Sequence, residues 1–263
     1  MFLTSLRLSG AAAVAALALG LGSAATAATL DISYFDRSQT GAARAALAAF
    51  QSGADGAGGP NKKVAEVRTE TFKGYQAWNG ATGAADPGAT KVGGFSSLGG
   101  HGTGHSAVNG GTKLQVRSDD PFVWGRYNTS GVDGAWLDSN DTHGMRWDVA
   151  GLPKFNAIAF LLTDAADVGA VLSIKAGDTL FSHTIGAQGR LANGAIQLVR
   201  ILLPEAVGGV TVELRNNRLN DGFGIDGATV ARIAPVPLPP AALLLISGAA
   251  GLVGLRRRRS RAA

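Results

Sequence analysis

FNAIAFLLT, residues 155–163, is apolar on both of its alternating faces, which leaves no side of a strand for water. A strand of that kind belongs at the centre of a sheet. Around it, short runs rich in β-branched and apolar residues are separated by Gly, Asn and Asp clusters, the punctuation of successive strands. Upstream these are VAEVRTETF (64–72), KLQVRS (113–118) and MRWDV (145–149). Downstream come AVLSIKA (170–176), TLFSHTI (179–185), AIQLVRILL (195–203), GVTVELRN (209–216) and IDGATVARI (225–233). VTVEL and VAEVRTETF alternate apolar with polar, so their strands should have one wet face. With no regular helices between the runs, the expected class is all-β, an antiparallel β-sandwich of jelly-roll type rather than a parallel α/β sheet. No solenoid-type period is visible.

One helix is expected near the start of this region. Ser38 or Thr40 can cap the run AARAALAAFQ, which stops at Gly53, and GADGAGGPN (53–61) then reads as loop.

The two ends of the chain read as addresses. Residues 1–27 have a short basic start with Arg7, an apolar stretch from Leu8 to Leu21, and Ala25-Thr26-Ala27 in the A-x-A pattern, so a secretory signal cut after Ala27 is expected. Residues 236–263 divide into VPLPP (236–240), an uncharged apolar run (241–255), and a cluster containing Arg256, Arg257, Arg258, Arg259 and Arg261. The apolar run spans about 22 Å as a helix, against a hydrocarbon core of about 30 Å. Leu238, Pro239 and Pro240 can serve as an opening turn that brings it to about 27 Å, and arginine side chains can snorkel across the remainder. The expectation is a transmembrane helix with the arginines on the cytoplasmic side.

This three-part tail resembles the VPLPA-CTERM sorting signal, related to the PEP-CTERM signals that exosortase-type membrane enzymes are thought to process in Gram-negative bacteria. The match is Val236, Pro237, Leu238 and Pro239, with Pro240 where the family has alanine. The resemblance implies transient anchoring in the inner membrane, an exosortase-type partner, and delivery to the cell surface or the extracellular matrix. A second resemblance, to ectodomains of PEP-CTERM-type surface proteins, rests on GRYNTSG (125–131), WLDSNDT (136–142), FLLTDAADVGAVLSI (160–174) and NDGFGIDGATV (220–230). It implies surface placement and a β fold, without a reaction.

Setting the ends aside changes the electrostatics. The chain has 24 Lys and Arg, but Arg7 and five tail arginines lie outside residues 28–235, leaving 18 against all 19 acidic residues. That near-neutral domain has no basic surplus for nucleic acid. The absence of cysteine excludes disulfides, zinc-thiolate sites and thiol catalysis. The length suits one domain.

Within it, Asp164 and Asp167 flank one turn, and Asp221 and Asp226 bracket another. Such turns suit Ca2+, which takes six to eight oxygens in irregular geometry; they equally suit Asx turns and strand ends. Asp138-Ser139-Asn140-Asp141 begins like a calcium loop, but His143 and Val149 stand where an EF-hand needs Gly and Glu. HGTGH (101–105) is too glycine-rich to set its imidazoles on one helical face. His143 and His183 lack a patterned serine or acid beside them. Among the aromatics, Trp147 should face inward, whereas Trp78, with Tyr75 nearby, is the candidate platform for a sugar ring. The leading expectation is a non-enzymatic exported surface or matrix protein associated with exopolysaccharide. A calcium-assisted carbohydrate-binding module is the alternative, and a glycoside hydrolase, short of acids with four glutamates, is third.

Overall fold

The computed structural model describes residues 28–56, 62–75, 86–100, 113–118, 124–131, 134–166, 169–176, 179–185, 191–216, 218 and 221–235. In chain order the elements are β1 (Thr29–Phe35), α1 (Thr40–Ser52), β2 (Lys62–Glu70), β3 (Gly88–Thr90), β4 (Gly93–Ser97), β5 (Gln115–Arg117), β6 (Trp136–Asp138) and β7 (Gly144–Val149). They continue with β8 (Phe155–Thr163), β9 (Val171–Ala176), β10 (Thr179–Thr184), β11 (Ile196–Val207), β12 (Val210–Arg215) and β13 (Gly224–Pro235). All pairings are antiparallel, in two sheets.

The inner sheet has the order β1-β11-β8-β13-β6-β5, and β2 joins the far part of β13. The outer sheet has the order β10-β9-β12-β7-β4-β3. From β6 onward the chain alternates between the sheets, apart from the β9–β10 hairpin.

β8 occupies the central position that its sequence demands, between β11 and β13. Ile158, Phe160 and Leu162 point into the core between the sheets. Ala157, Ala159 and Leu161 point the other way, toward α1. The helix presents Ala43, Leu47 and Phe50, spaced i, i+4, i+7 on one face, to that surface. Alanines at 157, 159 and 231 let the helix backbone approach closely. Both faces of β8 are therefore buried, and the architecture is three layers: helix, inner sheet, outer sheet.

Across the sandwich, Phe160 meets Trp147 edge-on at 5.8 Å, and Trp147 stacks on Phe95 at 5.1 Å. The Trp147 indole N–H donates to the Val92 carbonyl at 2.9 Å. Trp147 thus faces inward, as its place in the strand implied.

α1 ends at Gly53, whose φ of 77° is a left-handed C-cap that glycine adopts without a Cβ clash. Its start differs from the expected cap at Ser38 or Thr40. A turn of 3-10 helix (Arg37–Gln39) precedes the helix, with the Asp36 N–H donating to Gln39 Oε1 at 2.9 Å. Thr40 is already helical, and its hydroxyl donates to the Arg37 carbonyl at 2.7 Å. The cap lies a turn earlier because Asp36 and Gln39 close the bracket first.

β1, β3, β4 and β6 were not expected as strands. β4 is GGFSS, residues of weak strand preference, and is held by pairing along its whole length with residues 145–149 of β7. Residues 1–27 and 236–263 lie outside the described residues. So do the signal segment with Ala27, the 236–240 hinge, the 241–255 run and the arginine cluster. Among the described residues no helix is long and apolar enough to cross a membrane.

Candidate functional site

Described parts of the four strings that carry the ectodomain resemblance adjoin near β6, where Gly224 of β13 pairs with Asp138 of β6 and with Thr163 of β8. β13 pairs with β8 from Gly224 to Asp226, bulges, and resumes at Thr229 opposite Ala159. At that bulge Asp226 is buried and turned toward the loop at 128–130. Its Oδ2 accepts the Thr129 N–H at 2.9 Å, the Ser130 N–H at 2.7 Å and the Asn128 side-chain amide at 3.1 Å. Oδ1 accepts the Gly227 N–H at 2.6 Å. These donors favour the charged carboxylate, yet complete burial prevails and pushes its pKa up to about 6.

The same loop is fixed on two other sides. Asn128 donates to the Ala135 carbonyl at 2.8 Å, and its Oδ1 accepts the Gly131 N–H at 3.0 Å. From α1, Arg44 Nε donates to the Thr129 carbonyl at 2.6 Å. Arg126 makes a buried ion pair with Asp138 at 2.6 Å, and Arg117 approaches the other Asp138 oxygen at 3.8 Å. Asp138 also accepts the Asn140 N–H at 2.9 Å. Ser139 and Phe223 exchange hydrogen bonds, N–H to carbonyl at 2.9 Å and N–H to Oγ at 2.8 Å. Gly222 lies beneath the Asn140 carbonyl and the Arg126 guanidinium, where a Cβ would overlap both.

Of the residues expected to hold Ca2+, Asp164 sits at φ 65°, a left-handed position that Asp tolerates better than most residues. Its Oδ1 accepts the Gly194 N–H at 3.0 Å. Asp221 accepts the N–H of Gly222 at 2.9 Å, and Asp226 is the loop anchor described above. Each of the three accepts backbone N–H groups, one at Asp164 and one at Asp221, while Asp226 is enclosed by four donors. Asp167 lies outside the described residues. Among the described residues, no three His, Cys, Asp or Glu side chains gather as a metal group. In the Asp138-Ser139-Asn140-Asp141 turn, which the sequence only begins to pattern as a calcium loop, Asp141 and Asn140 are buried and their Oδ2 and Oδ1 have no hydrogen-bond partner; nothing in the sequence pattern signals that burial. Asp138 beside them is committed to arginine.

Tyr75, one of the two residues expected to carry a sugar, is half-buried against the main core. Its hydroxyl donates to Glu70 Oε2 at 3.2 Å, and burial, with the Glu70 charge second, raises its pKa. Its ring lies 6.4 Å from Phe72, so it packs rather than stands open. Trp78 lies outside the described residues, as do His101 and His105. Among the described residues Trp124 is the exposed tryptophan, 51 % accessible, with the Arg126 guanidinium 5.5 Å from its ring centre.

A second feature lies on the open face of the outer sheet. There a cavity of about 520 Å³ is lined by Arg146, Asp148, Ser173, Leu180, Thr211 and Glu213, among others. Arg146 Nε bonds both Asp148 oxygens, at 2.9 and 3.0 Å. That hydrogen bond raises the Arg146 pKa and holds the Asp148 carboxyl below its usual range. Thr211 donates to Asp148 at 3.0 Å, and Glu213 is paired with Arg215 at 2.8 Å.

No protein-family model matches the chain, and no curated protein matches it. Among solved structures, the K2 cleaved adhesin domain of Lys-gingipain is similar at a TM-score of 0.37 and 13 % identity, covering 62 % of this chain and 97 % of that one.

Proposed function

We propose that the chain is a non-enzymatic exported surface or matrix protein, delivered through its C-terminal segment by an exosortase-type enzyme. The observation that carries this reading is the sequence of the tail, a proline hinge then an uncharged run then an arginine cluster, after a near-neutral domain, with a segment patterned like a secretory signal at the other end. The domain between is a jelly roll by strand order: β6-β13-β8-β11 in one sheet and β7-β12-β9-β10 in the other.

The hydrogen bonding of the acidic turns supports a scaffold role. Asp226, Asp138 and Asp164 fasten loops to strands through N–H donors and arginine. A fold of this kind hosts many activities, so the reading rests on the tail and on these bonds rather than on topology. Deleting residues 236–263 tests it in the native host. The truncated chain is expected in the periplasm or medium and absent from the envelope. Unchanged envelope retention rejects sorting through the tail.

A further inference from the structure

Only one face of the inner sheet meets the outer sheet, and α1 covers part of the other. The outer sheet has no such partner among the described residues, and its register gathers polar groups into rows. One row crosses five strands: Ser96 on β4, Arg146 on β7, Glu213 on β12, Ser173 on β9 and Ser182 on β10. Beside it, Asp148 and Thr211 are cross-strand partners. Adjacent strands lie about 4.8 Å apart, so the row presents one hydrogen-bonding side chain per strand at a spacing close to the length of a sugar ring.

Charge decides what suits this surface. Arg146 is bound by Asp148 and lies 3.7 Å from Glu213, while Glu213 also holds Arg215. An anionic ligand would have to displace Asp148 while facing Glu213, and a cationic one would meet two guanidinium groups. Uncharged hydroxyls meet neither penalty, because they donate to the carboxylates and accept from Arg, Ser and Thr. At the rim, Leu180 is 67 % exposed and offers the apolar side of a sugar ring a surface.

We propose that this groove binds a neutral polysaccharide chain lying across the strands of the outer sheet. The site does not include Tyr75, and it deepens the surface-protein reading, on which it rests, by naming what the domain holds. Affinity electrophoresis of the full chain in detergent, through gels containing dextran, hydroxyethylcellulose or galactomannan, with polygalacturonate as the acidic comparison, tests it. At least one neutral polymer is expected to retard the protein, and more strongly than polygalacturonate does. The double variant Asp148→Ala/Glu213→Ala is expected to bind about tenfold more weakly, with a melting temperature within about 2 °C of the parent because both changes are at the surface. Ser173→Trp, which fills the groove and leaves the ion pairs in place, should weaken binding similarly. Retardation by none of the neutral polymers, stronger retardation by polygalacturonate, or unaltered binding by both variants overturns the proposal. The truncation experiment reads sorting alone, so a chain that is sorted but not retarded rejects only the groove.

Discussion

The two sheets obey the same period-2 rule and read differently because of what lies behind them. In β8 of the inner sheet Ala157, Ala159 and Leu161 pack on the α1 side while Ile158, Phe160 and Leu162 pack in the core between the sheets, and every residue from Ala157 to Thr163 is buried. In β7 of the outer sheet Arg146 and Asp148 are exposed while Met145, Trp147 and Val149 are buried. A covering layer turns alternation into a continuous apolar run, and where no described residue covers the strand the outward positions are polar.

The largest contrast comes from emptying the core beside the open face. Phe160→Ala is expected to cost about 4 kcal/mol through lost burial and a cavity under Trp147, measured by urea unfolding. A loss below about 1 kcal/mol would mean that the sheets are not packed through this residue.

Asp226→Ala leaves four donors without their acceptor and is expected to cost about 3 kcal/mol. The pH dependence sharpens this. Because the folded-state pKa is raised from 3.8 to about 6, the native state binds the proton more tightly than the unfolded chain. The native state is therefore favoured below pH 4, loses up to about 3 kcal/mol as pH rises through 6, and is level above that. Asp226→Asn removes this titration, so its cost relative to the parent should be larger at pH 4 than at pH 7. Equal costs at both pH values would contradict the assignment.

Ala159→Leu intrudes between β8 and α1 and should cost about 2 kcal/mol by overpacking. Thr211→Leu, on the uncovered face, should stay within about 0.5 kcal/mol. Equal losses would erase the distinction between the two layers. Arg146→Ala removes exposed ion pairs to Asp148 and Glu213, and a change of at most about 0.5 kcal/mol in thermal unfolding is expected.

Much of the framework was legible in the sequence. The β8 run coincides with its strand, and the helix ends at the glycine that its sequence places there. β4 was invisible because GGFSS has no strand signal of its own, and its order comes from β7. The site was half legible. Asp164, Asp221 and Asp226 stood out as turn carboxylates, but their donors did not, since Asp226 reaches loop residues about a hundred positions earlier. The groove was not legible, because its row takes one residue from each of five strands and exists only once the sheet order is known.

The central claim, an exported domain released from its terminal addresses, is tested most directly by mass spectrometry of the protein isolated from the surface of native cells. A mature chain beginning at Ala28, with no peptide beyond Pro240, is predicted. An untrimmed chain of 263 residues, found dissolved in the cytosol of intact cells, would contradict it.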